Sequence, residues 1–121
     1  MLSAKGVALR INDCCFDENK LNKKQKLSVY RIVQEQCTNI AKYAKAATAT
    51  VTLVTKDHQF QMIIADNGKG NELSKTKKGI GLKNIEGRMR LFNGKMKVNT
   101  APGKGFQLEV SMPITSTEQA E

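Results

Sequence analysis

Arg31-Ile32-Val33-Gln34-Glu35-Gln36-Cys37-Thr38-Asn39-Ile40-Ala41-Lys42-Tyr43-Ala44 is the stretch around which the rest of the chain is organised. Wound as a helix at about 100° per residue, it separates two kinds of side chain. Tyr30, Val33, Cys37, Ile40 and Ala44 recur at i, i+3, i+7, i+10 and i+14 and predict an apolar, core-facing stripe. Glu35, Asn39, Lys42 and Tyr43 fall at i, i+4, i+7 and i+8, roughly opposite that stripe. An acid, an amide, a cation and a phenol thus share one face. In an isolated helix such a face is usually just solvated, and what gives this one a chemical meaning is the glycine-rich sequence downstream.

Working outward, Phe60 to Ala65 is a strand whose apolar end places it centrally in a sheet, and it runs into Asp66-Asn67-Gly68-Lys69-Gly70. Asn-Gly alone signals a turn. A carboxylate at a strand end beside two glycines can also accept a hydrogen bond from an amine-bearing ligand while bare backbone approaches it. Asn71 to Lys78 is short and polar, as expected of a flexible lid. Gly79-Ile80-Gly81-Leu82 then opens a second helix with Leu82, Ile85, Met89 and Phe92 as its buried stripe, and Asn93-Gly94 stops it. Bare N–H groups at such a helix start suit phosphate.

The remaining elements follow from alternation and punctuation. Gly6 to Asn12 reads as a half-buried strand, and Asp13 to Lys26 as a lysine-rich connector leading to a helix from about Val29 to Lys45, capped by Ser28. Ala49 to Lys56 is a second strand, separated from Phe60 by a turn that puts His58 at an exposed tip. Lys95 to Thr100 and Phe106 to Met112 are the last strands, with Ala101 to Gly105 between them and Pro113 as the stop. The short connections predict an α+β fold: a two-layer α/β sandwich, its mixed and mainly antiparallel sheet carrying the helices on one face. A single domain is expected over 1–121, with 5–114 as folded core and 115–121 as a frayed tail.

The chain has 20 Lys+Arg against 11 Asp+Glu, a net charge of +9, which favours an anionic partner. Three cysteines, two of them adjacent, fit reduced thiols better than a disulfide framework, and a zinc site built from Cys14, Cys15, Cys37 and His58 matches no usual spacing. No apolar run approaches the ~18–20 residues of a membrane span, so no membrane contact is expected of this domain, and a cytoplasmic location is. The basic clusters Lys20 to Lys26 and Lys69 to Lys78 carry little aromatic interleaving, so no nucleic acid is expected.

Glu-x-x-x-Asn on a helix, Asp-x-Gly-x-Gly after a strand and Gly-x-Gly-Leu before a second helix together resemble the Bergerat ATP-binding fold of gyrase, Hsp90, sensor histidine kinases and MutL. The likeness spans roughly Leu27 to Pro113 and is strongest to the catalytic domain of bacterial sensor histidine kinases. Within these, Arg-Ile-Val-Gln-Glu-x-x-x-Asn and the short lid are similar to the subgroup of nitrate and membrane-fluidity sensors. The resemblance implies ATP and Mg²⁺ as ligands, with Asn39 holding the metal and Glu35 acting as the base on the attacking histidine. It implies that Lys42 and Tyr43 touch nucleotide or phosphate, although many relatives have His at position 43. It also implies that Asp66 accepts the adenine amine, Gly68 and Gly70 form the pocket floor, and Gly79, Gly81 and Leu82 make up the phosphate-side motif.

Two positions depart from the family pattern. Phe106 stands where a threonine usually follows the Gly103-x-Gly105 pair and supports the adenine site, and Asn71 stands where an aromatic residue is common. The implied partners are a histidine-bearing dimerisation domain of the same parent protein, which can itself be membrane-anchored, and a downstream response regulator. The chain reads as an excised catalytic domain or a stand-alone nucleotide-binding module. A nucleotide-gated binding module without phosphotransfer, of the anti-sigma-factor or degenerate-regulator kind, is the alternative reading.

Overall fold

The computed structural model describes residues 7–44, 48–69 and 82–114, the side chains of 43 and 44 excepted. In chain order the elements are β1 (Ala8–Cys15), a 3₁₀ turn (Glu18–Lys20), α1 (Lys23–Asn39), a π-helical segment (Ile40–Ala44), β2 (Thr48–Lys56), β3 (Gln59–Asp66), α2 (Leu82–Arg90), β4 (Lys95–Thr100) and β5 (Phe106–Pro113). One sheet holds the five strands in the order β1-β2-β3-β5-β4, with β1 parallel to β2 and every other pair antiparallel. This is the expected α+β arrangement with a mixed sheet, and β3 is its middle strand.

Alternation along the central strands decides which face is covered. Phe60, Met62 and Ile64 of β3 and Phe106, Leu108, Val110 and Met112 of β5 are buried, while the residues between them are only half-buried. Ile32 of α1 and Leu82, Ile85 and Met89 of α2 complete the same core. Each fully buried side chain of this size contributes roughly 1.5–3 kcal/mol. The edge strand β4 exposes Lys95 and Lys97, charges that discourage pairing with another chain.

The hairpin between β2 and β3 turns at Asp57 and His58, both at positive φ (51° and 64°), the geometry that matches the twist of paired strands. His58 is exposed there, as the sequence predicts. Helix α2 ends as its sequence dictates: Asn93 takes φ 59°, and Gly94 N–H reaches back to the Met89 carbonyl at 2.7 Å.

Three expectations are corrected. Helix α1 begins at Lys23, not near Val29, because Asn22 caps it. The Asn22 side chain accepts from Gln25 N–H at 2.8 Å, and Gln25 Oε1 accepts from Asn22 N–H at 3.1 Å, a reciprocal capping box. Ser28 is therefore a buried helix residue rather than a cap. At the other end the α-helix stops at Asn39 and continues as π-helix. Second, Tyr30 is 60% exposed and lies outside the core stripe, which runs instead through Val29, Ile32, Gln36, Cys37 and Ile40. Third, β1 spans Ala8–Cys15 and none of its residues is buried. Leu9 and Ile11 pair with Ala49 and Val51 on the helix-bearing face, yet an edge strand lies beyond the reach of the two helices. The expected lid at Asn71 to Lys78 and the tail from 115 lie outside the described residues.

Candidate functional site

Helix α1 places Arg31, Glu35 and Asn39 one turn apart on one face. Asn39 is the last α-helical residue and is half-buried; its Nδ2 donates to Oε1 of Gln36 at 3.3 Å, and Gln36 is buried. A buried partner thus fixes which end of the Asn39 amide faces inward. Directly after it the helix widens into the π segment that carries Lys42, which is exposed, and the backbone of Tyr43. Such single-turn π segments often occur where a helix serves a ligand. They also alter the angular step per residue, so Lys42 leaves the face that an unbroken α-helix would give it.

Glu35 is half-buried and lines an open cavity of about 350 Å³ with Arg31, Gln34, Thr38 and Arg88. Thr38 Oγ1 donates to the Gln34 carbonyl at 2.9 Å, and Gln34 Nε2 donates to the Tyr30 hydroxyl at 3.1 Å, which ties down the outer rim. Arg88 comes from α2. Its Nε is buried without a hydrogen-bond partner, and among the described residues no ion pair joins Glu35 to either arginine. A buried unpaired donor costs about 1–3 kcal/mol, and the cavity sets two arginines beside the Glu35 carboxylate.

Asp66 ends β3 and is half-buried. Its Oδ1 accepts from Gly68 N–H at 2.7 Å. Burial pushes its carboxyl above the ordinary aspartate value, and the Gly68 bond opposes the shift. Across the ladders Asp66 stands opposite Ala49 on one side and Phe106 on the other, with Thr100 opposite Phe106, so these residues form one row on the helix-bearing face. The next residue, Asn67, is clamped to the start of β2: Thr48 N–H donates to its Oδ1 at 2.9 Å, and Asn67 N–H to the Thr48 carbonyl at 3.2 Å. Asp66 also lines an open cavity of about 400 Å³ with Ala65, Asn99, Thr100, Ala101, Lys104, Phe106 and Gln107.

The turn before β5 closes on Asp66. Gly105 has φ +74° and lies so close that a Cβ there would press on the Asp66 carbonyl. The Gly105 carbonyl accepts from Thr100 Oγ1 at 2.7 Å. Gly103 N–H donates to the Lys69 carbonyl, which joins this turn to the Asp-Asn-Gly segment.

Of the residues singled out by sequence, Glu35 and Asn39 share a helix face, while Asp66 and Gly68 share a turn. Glu35 and Asp66 line separate cavities. Leu82 is buried as the first residue of α2 and belongs to the core rather than to an open surface. Gly70, Gly79, Gly81 and the Tyr43 side chain lie outside the described residues. Sequence reasoning missed Arg31 and Arg88. The first was legible as the residue four before Glu35; the second had no local signal, because only packing of α2 beside α1 brings it there.

Residues 24–116 match the family described as histidine kinase-, DNA gyrase B-, and HSP90-like ATPase. The sensor histidine kinase LiaS of Bacillus subtilis (strain 168) is 36% identical over 94 residues, covering 77% of this chain and 26% of the relative. The signal transduction histidine-protein kinase/phosphatase DegS of Brevibacillus brevis is 33% identical over 93 residues, 76% of this chain and 24% of the relative. The chain therefore spans about a quarter of the length of these curated relatives. Among solved structures, the histidine kinase domain from the blue-light activated histidine kinase EL346 of Erythrobacter litoralis superposes with a TM-score of 0.73 at 11% identity, covering 98% of this chain and 57% of that one. Histidine kinase AdeS of Acinetobacter baumannii gives 0.73 at 10% identity, covering 95% and 58%. At such identities these two show a shared fold.

Proposed function

This chain belongs to the histidine kinase-, DNA gyrase B-, and HSP90-like ATPase family, and on that premise we propose that it binds Mg²⁺-ATP and donates the γ-phosphoryl group to a histidine on a separate domain of its parent protein. The observation that carries this reading is the placement of Asp66: a half-buried carboxylate at the end of the central strand, fixed by Gly68 and facing Phe106 across the ladder. A carboxylate oriented in that way accepts a hydrogen bond from an exocyclic amine and repels a carbonyl, which selects adenine over guanine. Phe106 supplies an apolar neighbour for a flat base where the family has a hydroxyl.

Asn39 is the residue that would hold Mg²⁺. A hard amide oxygen suits that ion, which takes few protein ligands and completes its shell with water and phosphate oxygens. The bond from Asn39 Nδ2 to buried Gln36 holds the amide in one orientation, so the donor chemistry fits. Glu35, one turn earlier, takes the imidazole N–H proton as the N–P bond forms and the bond to the bridging oxygen breaks, releasing ADP. In such transfers the protein chiefly positions groups and stabilises charge, and the Arg31 and Arg88 guanidiniums around Glu35 serve that purpose. Lys42, Tyr43, Gly70, Gly79 and Gly81 complete the nucleotide contacts in this proposal, within a single domain over 1–121. A response regulator receives the phosphoryl group downstream.

The test separates binding from chemistry. Glu35→Gln should bind Mg²⁺-ATP nearly as the wild type does by calorimetry, yet lose transfer to the parent's histidine hairpin supplied in trans. Asn39→Ala should lose Mg²⁺-dependent binding itself. Transfer by Glu35→Gln at the wild-type rate would remove Glu35 as the base, whereas nucleotide binding without any transfer by the wild type would favour a nucleotide-gated binding module, a reading that Phe106 in the base-side row also supports.

A further inference from the structure

Cys14 and Cys15 end β1, and both are exposed. In a regular strand successive side chains point to opposite faces, which would keep their sulfurs apart. Here the ladder to β2 slips: Asn12 faces Thr52 and Cys15 faces Val54, so three steps along β1 match two along β2. The extra residue makes a β-bulge, and a bulge re-aims side chains. It brings the two Sγ atoms to 3.7 Å from each other.

That separation suits one kind of occupant. A direct S–S bond is about 2.05 Å long and normally spans Cα atoms roughly 4.4–6.8 Å apart, whereas adjacent residues are held at about 3.8 Å, so a bond between neighbours is strained. Two sulfurs each about 2.3 Å from one central atom stand about 3.8 Å apart at a tetrahedral angle and about 3.4–3.5 Å apart at the roughly 95–100° of a pyramidal trivalent centre, so the bulge holds them within a few tenths of an ångström of either. A structural zinc ion would require four ligands, and among the described residues no group of three or more His, Cys, Asp or Glu converges. A soft centre that needs two thiolates and brings its own third substituent matches the pair as it stands.

We propose that Cys14 and Cys15 form a chelating dithiol site for trivalent arsenic compounds of the type R–As(OH)₂, including arsenous acid. Each thiol gives its proton to an arsenic-bound hydroxyl, which leaves as water. Two As–S bonds form, two As–O bonds break, and arsenic stays trivalent, so no oxidant or reductant is needed. The second bond closes within one molecule, which makes the adduct far more durable than one held by a single thiol. The site is remote from the nucleotide residues. Asp66 lies opposite Ala49 and Cys15 opposite Val54, five residues apart along β2 or roughly 17 Å, so ATP binding should not depend on it.

The experiment uses the full chain and phenylarsine oxide, read by intact mass spectrometry. One adduct per chain should survive a large excess of 2-mercaptoethanol and be removed by 2,3-dimercaptopropanol. Peptide mapping of the wild type should place the arsenic on the peptide that contains both Cys14 and Cys15. Cys14→Ser and Cys15→Ser, checked for folding by circular dichroism, should each lose the adduct to monothiol about 100-fold faster or more. Cys37→Ser should behave as wild type, since burial keeps Cys37 out of reach and pushes its thiol pKa up. Retention of the adduct by either single variant, mapping to Cys37, or stripping of the wild-type adduct by monothiol would overturn the proposal. Calorimetry with Mg²⁺-ATP on the same samples reports the nucleotide site separately, so either proposal can fail without the other.

Discussion

Asp66 and Phe106 face each other across the β3–β5 ladder, on the side of the sheet that the helices cover. Phe106 stands where the family pattern places a hydroxyl, and the Thr100 hydroxyl of the same row bonds to the Gly105 carbonyl at 2.7 Å. In the proposed function, base recognition therefore rests on Asp66. The wild type is expected to prefer ATP to GTP by about tenfold to 150-fold, since a charge-assisted hydrogen bond is worth roughly 1.5–3 kcal/mol. In Asp66→Asn the amide can also donate to a guanine carbonyl, so the preference should narrow. Calorimetric titration of both proteins with both nucleotides decides it, and equal wild-type affinities would refute the role.

The same carboxylate makes stability depend on pH. Burial raises its folded-state pKa, so between the unfolded value near 3.9 and the higher folded value the native state binds more protons than the unfolded chain. The contribution of this group to stability is thus fully present below the unfolded pKa and is lost as pH rises through the folded one. Asp66→Asn resembles the protonated form at every pH. Its urea midpoint relative to wild type should rise from pH 3 to pH 7 in the absence of nucleotide. A difference that stays flat, or falls, would contradict the burial argument.

Gly105 and Gly103 share a positive φ (74° and 76°) but differ in surroundings: a Cβ at 105 would collide with the Asp66 carbonyl, whereas one at 103 meets open space. Gly103→Ala should cost about 1–2 kcal/mol through its left-handed backbone alone. Gly105→Ala should cost more than that and also weaken ATP binding, because relieving the collision moves the strand end that holds Asp66. Chemical denaturation of both variants, with calorimetry, measures the two effects.

Asn22, rather than Ser28, starts α1. Asn22→Ala should lower stability by about 1 kcal/mol through loss of the cap. Asn22→Asp should keep the side-chain acceptor and hold stability near wild type, aided by the helix dipole. Thermal or urea unfolding of the two variants distinguishes a cap from a solvated surface amide.

Arg88 presents a buried Nε with nothing to bond to beside Glu35. Replacing it by methionine, of similar length and apolar, removes that unmet donor. Arg88→Met should therefore leave stability within about 1 kcal/mol of wild type or raise it, while slowing phosphotransfer in trans. A loss of more than about 2 kcal/mol would show that the guanidinium serves folding instead.

Much of this protein is local in origin and was readable from its residues. The alternation from Phe60 to Ala65 and from Phe106 to Met112, the stripe Leu82, Ile85, Met89 and the Asn93-Gly94 stop each state a period or a break that a short segment enforces by itself. The order of elements and the placing of Glu35 and Asn39 on one helix face follow from the same periods. The start of α1 was also local, since Asn22 and Gln25 hold each other three residues apart, but it was obscured by the lysines that surround it.

Tertiary structure decided the rest. An apolar alternation in β1 reads the same whether its strand is central or at an edge, and only the strand order leaves Leu9 and Ile11 uncovered. The change to π-helix after Asn39 leaves no mark in a pattern that assumes one angular step. The facing of Asp66 and Phe106, the closeness of Gly105 and the arrival of Arg88 beside Glu35 join residues 40, 39 and 53 positions apart in the chain. Segments that far apart carry no periodic trace of one another. Their meeting is set by which strands pair and which helix faces pack, and that choice belongs to the whole core rather than to any one stretch of sequence.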